Sequence, residues 1–453
     1  MSRRPLVLAL ALALPASALV ASANATDLMQ TYELARAGDP QLAAAESGRL
    51  AQKEGAVQAR AALLPQINGS ASINRTRNEL DDVPGSSTNT SRNYGVSVNQ
   101  SVLDFSRYST LRGQRALSVA ADYDLEAAND SLITRTSAAY FNVLVAIETL
   151  AAAEAQQTAL QKQFDYAQKR LDVGLAPITD VHEARAQYDS ARASVITRKK
   201  VLEDQYQALV EITGQPINNL KALPDDFRPE LPADYDAEGW VNAAVTNNPA
   251  LKSLEYQVQS ADANVSTARA GHLPTLSFGG SWGKDAQWGD SVGGGISGDG
   301  TGTSVGLTLS VPIFSGGFTQ SRVREALANR DVVQDGYEQQ KRAIIRNTRN
   351  AYQVLEAGIS EIEARRLAVV SARAAYEASQ VGLEVGTRTV LDVLINQQTL
   401  FDAQQLYALS KYNYLQNRLL LDQAAGTLDG SDVQEVNRFL TVDANTQLEP
   451  TAP

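Results

Sequence analysis

The chain has 453 residues, and its 51 acidic against 40 basic side chains leave a formal charge of −11, which disfavours nucleic acid as a partner. There is no cysteine, which excludes disulfides, thiolate chemistry and a lipid on a processed N-terminal cysteine. The only histidines, His182 and His272, are 90 residues apart, so no paired-histidine metal site is expected.

Met1 to Arg4 is basic, an apolar run follows to about Val20, and Ala23-Asn-Ala25 has the form of a cleavage site. Residues 1–25 therefore read as a signal peptide, and the chain is expected to be exported. Beyond it no apolar stretch approaches the ~20 residues that a spanning helix needs, so any membrane crossing is expected to use strands.

The remainder is written twice. Asp39-Pro-Gln-Leu42 matches Asn248-Pro-Ala-Leu251, Leu64-Pro-Gln-Ile67 matches Leu273-Pro-Thr-Leu276, and Val102-Leu-Asp-Phe-Ser106 matches Val311-Pro-Ile-Phe-Ser315, all at an offset of 209. Val173-Gly-Leu-Ala-Pro-Ile-Thr-Asp180-Val181 matches Val385-Gly-Thr-Arg-Thr-Val-Leu-Asp392-Val393 at 212. The expected repeats are 26–214 and 238–426, separated by a waist insert at 215–237 and followed by a waist segment and tail at 427–453.

Each repeat reads as a short helix, a helix of about 23 residues, two strands, a helix of about 65, a tip and a helix of about 36. The long helices would reach ~100 Å. The two shorter ones nearly sum to the long one, so they are expected to stack end to end beside it. At the tips, 173–181 and 385–393, Gly174 and Gly386 end the long helices, and Pro177 suits a first helical turn. An antiparallel coiled coil would account for the helical periodicity equally well.

The strands favour a membrane reading. Tyr94, Val96, Val98 and Val102 alternate with small polar residues, as do Val305, Leu307, Leu309, Val311 and Ile313. Strands are expected at about 66–80, 92–104, 275–288 and 301–313, with flexible loops at Asp81 to Ser91 and Gly289 to Gly302. Trp282, Trp288 and Tyr94 toward the loops, and Phe105, Tyr108, Phe314 and Phe318 toward the helices, would form two aromatic girdles. Four strands cannot close a barrel and an open edge cannot persist in lipid, so the chain is expected to oligomerise, three copies giving twelve strands. Asp443 to Pro453 reads as a tail without structure.

The two tip motifs, Ala184-Arg-Ala-Gln-Tyr188, Gly271-His-Leu-Pro-Thr-Leu276, Leu28-Met-Gln-Thr-Tyr32 and the segment from Thr136 to Ile147 together resemble the TolC family of outer-membrane efflux and type I secretion channels, over essentially all of the chain beyond residue 25. The resemblance implies an α+β membrane protein of the Gram-negative outer membrane: a homotrimer whose shared twelve-strand barrel continues into a helical tunnel through the periplasm. Its implied partners are a periplasmic adaptor (membrane fusion) protein, an inner-membrane transporter of RND, ABC or MFS type, and outer-membrane lipid. The tips, at Val173, Gly174, Leu175, Val385, Gly386 and Thr387, would meet adaptor or transporter.

By the same resemblance, Thr179, Asp180 and Arg388 hold the tip closed and Asp392 rings a constriction. Two positions depart from the family: Ile395 stands for a second acidic residue and Leu383 for a tyrosine that supports the lock. Ile395 would instead narrow the pore by a dewetting ring. Without the resemblance, Asp180 reads as a first-turn carboxylate favoured by the helix dipole, and His182 as part of a solvated face. No enzyme, cofactor or metal site is expected. A periplasmic coiled-coil adaptor or scaffold is the competing reading, and it would lack lipid-facing strands.

Overall fold

The structure, a computed structural model, describes residues 25–79, 86–175, 177–224, 226–232, 236–291 and 294–447. The expected signal peptide up to Asn24, the loop centres at 80–85 and 292–293 and the last residues from 448 on lie outside the described residues.

The first half runs α1 (Leu28–Gly38), α2 (Pro40–Ala61), β1 (Gln66–Glu79), β2 (Ser86–Leu103), α3 (Phe105–Asp172) and α4 (Ile178–Thr213), then the short β3 (Lys221–Ala222). The second half repeats it as α5 (Ala237–Asn247), α6 (Pro249–Ala270), β4 (Thr275–Ser291), β5 (Gly294–Ser310), α7 (Phe318–Glu384) and α8 (Val390–Ala425), and closes with α9 (Gly430–Asn437) and β6 (Val442–Asp443). Equivalent helices agree to within one residue: 11 and 11, 22 and 22, 68 and 67, 36 and 36.

The helices stand as four columns in one layer. α2 and α4 both pack on α3, α3 packs on α6 and α8, and those two pack on α7. α2 and α4 meet end to end. The carbonyl oxygen of Thr213, at the end of α4, would lie 2.7 Å from a Cβ placed on Gly38, two residues before α2 begins. At the matching junction Asn248 caps α6 and donates through Nδ2 to Ala424 O (3.2 Å) near the end of α8.

The main sheet has the order β1-β2-β4-β5, all antiparallel, with β1 and β5 at open edges. Its register sorts the side chains. Ile67 faces Val98, Val96 faces Trp282, and Phe278 faces Leu307, so the apolar residues of all four strands share one surface. The row Ser70, Gly95, Gly283, Gly302 crosses the other surface. Val305, Leu307 and Leu309 are 72%, 67% and 63% exposed within the chain. An apolar face of this extent, covered by nothing among the described residues and backed by small polar residues, is the pattern that a barrel wall in lipid requires.

The strands, at 14, 18, 17 and 17 residues, exceed the ~9–11 that cross a bilayer. Two expectations change here. Ser86 to Ser91 belongs to β2, and the glycine-rich run from Gly289 contributes to β4 up to Ser291 and to β5 from Gly294. Conversely β5 ends at Ser310, so Val311 and Ile313 lie outside it. Each further pair in a hairpin completes ladder bonds whatever its propensity, and small residues crowd no neighbour on the polar face.

The core sits at the waist. Leu132, Tyr140, Leu144 and Ile147 of α3 pack with Leu28 of α1, Trp240 of α5 and Leu415 and Leu419 of α8. Tyr140 donates its hydroxyl to Lys221 O (2.7 Å) or Thr26 O (3.1 Å) and accepts from Lys221 N (3.0 Å). β3 pairs with β6, and Ala444 N donates to Leu220 O (2.9 Å), so Asp443 to Gln447 is held against the waist, contrary to the expected tail. One further expectation is corrected: α3 contains an 18-residue window apolar enough for a membrane helix, with mean hydropathy 1.3, but 61% of that window is buried inside the chain. It is core, and the uncovered apolar face belongs to the strands.

Candidate functional site

The ends of the long hairpins, farthest from the sheet, are built by the same closure. α3 stops at Val173; Gly174 takes φ 75°, its N–H donates to Leu171 O (2.9 Å), and Leu175 N donates to Arg170 O (2.7 Å). α7 stops at Val385; Gly386 takes φ 79°, its N–H donates to Leu383 O (3.2 Å), and Thr387 N donates to Gly382 O (2.8 Å). Both are Schellman closures, which need a left-handed residue that glycine supplies without strain. Val173, Leu175 and Val385 are 68%, 69% and 68% exposed, so the hairpin ends offer apolar side chains that nothing among the described residues covers.

After the turns the two tips differ. α4 starts at Pro177, which supplies no side-chain cap. Asp180 N donates to Pro177 O (3.2 Å), and Thr179 Oγ1 lies 3.5 Å from Asp180 Oδ1. α8 starts from a capping box instead. Asp392 Oδ2 accepts from Thr389 N (2.8 Å) and Thr389 Oγ1 (2.9 Å), while Asp392 N donates to Thr389 Oγ1 (3.2 Å). The bond from Thr389 N, then that from its hydroxyl, holds the Asp392 carboxyl below the ordinary carboxylate range, and the Arg388 charge adds to this. Residue by residue, Asp392 is therefore a helix-starting group. Thr389, which the sequence reading did not single out, is its partner; the Thr-x-x-Asp spacing was the available signal.

Arg388 lies in the second turn, its N–H donating to Gly382 O (3.0 Å). Among the described residues no ion pair joins it to Asp180 within the chain. The column order gives the reason: Asp180 opens α4 on one flank of the layer, whereas Arg388 adjoins α7 on the opposite flank, with α3 and α8 between. Ile395 is 55% exposed on α8, and Val393 and Leu394 are buried. Leu394 packs with Leu160 of α3 and Ala191 of α4, which ties the second hairpin to the first. One turn further, Gln397 is buried, and among the described residues its Nε2 has no partner.

The profile of the family described as "Outer membrane efflux protein" matches residues 31–215 and 240–427. The chain is 34% identical over 438 residues to the outer membrane protein TolC of Escherichia coli (strain K12), with 95% of this chain and 88% of that protein covered. It is 30% identical to the alkaline protease secretion protein AprF of Pseudomonas aeruginosa, covering 91% and 87%. Among solved structures, the Campylobacter jejuni CmeC outer membrane channel superposes with a TM-score of 0.77 at 21% identity, covering 91% of this chain and 90% of that one.

Proposed function

The chain belongs to the outer membrane efflux protein family, and we propose that its tip residues form a gate between neighbouring copies. The protein is an outer-membrane exit duct for efflux or type I secretion, reaching from the outer membrane into the periplasm. The adaptor reading fails, because relatives over nearly the whole chain are outer membrane proteins and the strands carry an uncovered apolar face.

The observation that carries the duct is the pair of open flanks. β1 and the α2/α4 column border one side, β5 and α7 the other. Leu50 and Val57 on α2 and Ile196 on α4 are exposed on the first, and Val332, Leu367, Val370 and Val381 on α7 are exposed on the second. A head-to-tail contact between unlike flanks makes a ring, and three copies close a twelve-strand barrel over a tunnel of twelve helical columns. The ring carries α7 of one copy to α4 of the next, and so Arg388 toward the Thr179–Asp180 corner of its neighbour. An arginine–carboxylate contact in a solvated tip contributes only ~0–1 kcal/mol, which suits a lock meant to be undone. The exposed Val173, Leu175 and Val385, with Gly174, Gly386 and Thr387, would meet a periplasmic adaptor, and an inner-membrane transporter of RND, ABC or MFS type would supply the energy. Outer-membrane lipid would cover the apolar strand face.

Single-channel conductance of the purified protein in a planar bilayer tests the gate. Arg388→Ser and Asp180→Ala should each raise the resting level, and the double variant should open no further than the larger single effect. A closed level in both singles would place the lock elsewhere, with Ile395 the next residue to change.

A further inference from the structure

We infer that Gly382 is the positioning residue of Arg388: the absence of a side chain there lets the arginine stem cross α7 toward the neighbouring copy. The inference rests on Arg388 belonging to the gate. A Cβ added to Gly382 would lie 2.6 Å from Arg388 Cγ, 3.2 Å from Arg388 Cβ and 3.3 Å from Thr387 Oγ1. These are stem atoms close to the backbone, not the free end of a chain that swings aside. Nor does the turn have slack, because Gly382 O already accepts from Thr387 N (2.8 Å), Arg388 N (3.0 Å) and Thr387 Oγ1 (3.1 Å). A methyl group at this position forces the arginine into another rotamer or loosens the turn that aims it.

The first tip supplies an internal control. The position matching Gly382 is Arg170, and the position matching Arg388 is Ala176. There the arginine stays on the helix, with Nη2 3.4 Å from Leu175 O and the guanidinium 5.6 Å from the centre of the Tyr166 ring. The two tips thus exchange the places of arginine and small residue. Glycine three residues from a helix end weakens the helix relative to alanine, so its use at Gly382 calls for a steric reason, and Arg388 is the atom group that supplies one.

The experiment compares Gly382→Ala, Arg388→Ala and the double variant by resting conductance, with trimer heat stability measured alongside. Gly382→Ala should raise resting conductance at least about twofold, the lower end of what contacting residues show in such cycles, and should leave the trimer no less heat-stable. In the Arg388→Ala background it should add nothing. Gly382→Ser, a second small intrusion at the same point, should repeat the pattern. Wild-type conductance in Gly382→Ala and Gly382→Ser, when Arg388→Ala is raised, overturns the inference and leaves the gate standing. An equal rise in both backgrounds also overturns it, since the effect then bypasses Arg388. If Arg388→Ala is itself unchanged, the gate reading falls, and this inference with it.

Discussion

The two long helices have nearly the same length and close on matched residues, yet they live in different surroundings. α3 is walled by α2 and α4 on one side and by α6 and α8 on the other; α7 packs on α6, α8 and the short α5, and its flank beyond them is open. Tyr140 of α3 is fully buried with its hydroxyl bonded to the chain, whereas Tyr352, 212 residues on, is half-buried. Asp130 is buried, and its counterpart Arg342 is exposed. Place in the layer decides the role of each residue: the inner column became core, and the outer column kept a surface for the next copy. A duplicated unit that must also form a ring cannot stay symmetric, because only one of its copies faces the neighbour at each flank.

The joints where shorter helices stack give the sharpest test of this divergence. Gly214 and Gly426 both end helices at φ 69°. A Cβ on Gly214 would meet only Gly38 Cα, at 4.0 Å; a Cβ on Gly426 would sit 2.5 Å from both N and Cα of Asn248. Gly214→Ala should therefore cost only the left-handed conformation, about 1–2 kcal/mol. Gly426→Ala adds an overlap with backbone that cannot swing away, so about 3 kcal/mol or more is expected, with loss of folded trimer or a large drop in melting temperature. Equal losses from the two substitutions would mean that the joints are equivalent and the halves less divergent than their contacts imply.

What the sequence disclosed, and what it hid, follows from how local each cause is. Helix lengths were readable because proline and glycine are sparse between the tips and the repeat offset aligns them. Where the strands end was not readable. The run from Gly289 to Gly302 has loop composition, and only pairing across the hairpin, such as Gly289 with Ile296, makes it sheet. Asp443 to Gln447 looks like a polar tail, but Ala444 is buried and bonded to Leu220, more than 200 residues away. At the tips the residue types were legible and their partners were not. Thr389 meets Asp392 within one chain, while any contact from Arg388 to Asp180 must cross between copies.

A difference of intermediate size should appear in pH dependence. Burial, and then the charge of Glu126 on the same helix, push the Asp130 carboxyl up to about 7 from 3.8. Tyr32 of α1 lies within electrostatic reach of Asp130, with Arg36 and Asp429 acting on the same tyrosine. The folded chain then binds this proton more tightly than the unfolded chain does. Its contribution is most favourable below about 4, is lost as pH rises toward 7, and is flat above that, with a slope of at most about 1.4 kcal/mol per pH unit. Melting temperature should fall between pH 5 and 7, and Asp130→Asn should remove most of that slope, leaving the smaller contribution of Asp432, also raised by burial. Arg342→Gln on α7 should leave the slope unchanged. An unaltered slope in Asp130→Asn would mean that the α3 site is solvated in the assembled ring.

The smallest expected effect, and the finest distinction between the tips, concerns the two matched aspartates. Asp180 has no capping partner, whereas Asp392 is held by Thr389. Three copies of Asp392 brought together at a threefold axis would repel one another and raise at least one pKa, but the Thr389 bonds pull the other way. Conductance against a trivalent cation added on the tip side, at pH 7.5 and 5.5, separates the two influences. Wild type should show weak block, because Ile395 replaces a second acidic ring; Ile395→Asp should tighten it. Asp392→Asn should abolish block and keep the helix start, since an amide oxygen can still accept from Thr389 N, whereas Asp392→Ala should abolish block and also fray α8. A carboxyl at or below its ordinary range stays charged at pH 5.5, so block that persists there means crowding has not raised the ring into that range, and block that fades there means the carboxylates are crowded. Identical block in all four proteins would show that neither residue lines the pore, and Asp392 would be left with the role its hydrogen bonds already describe, that of starting a helix.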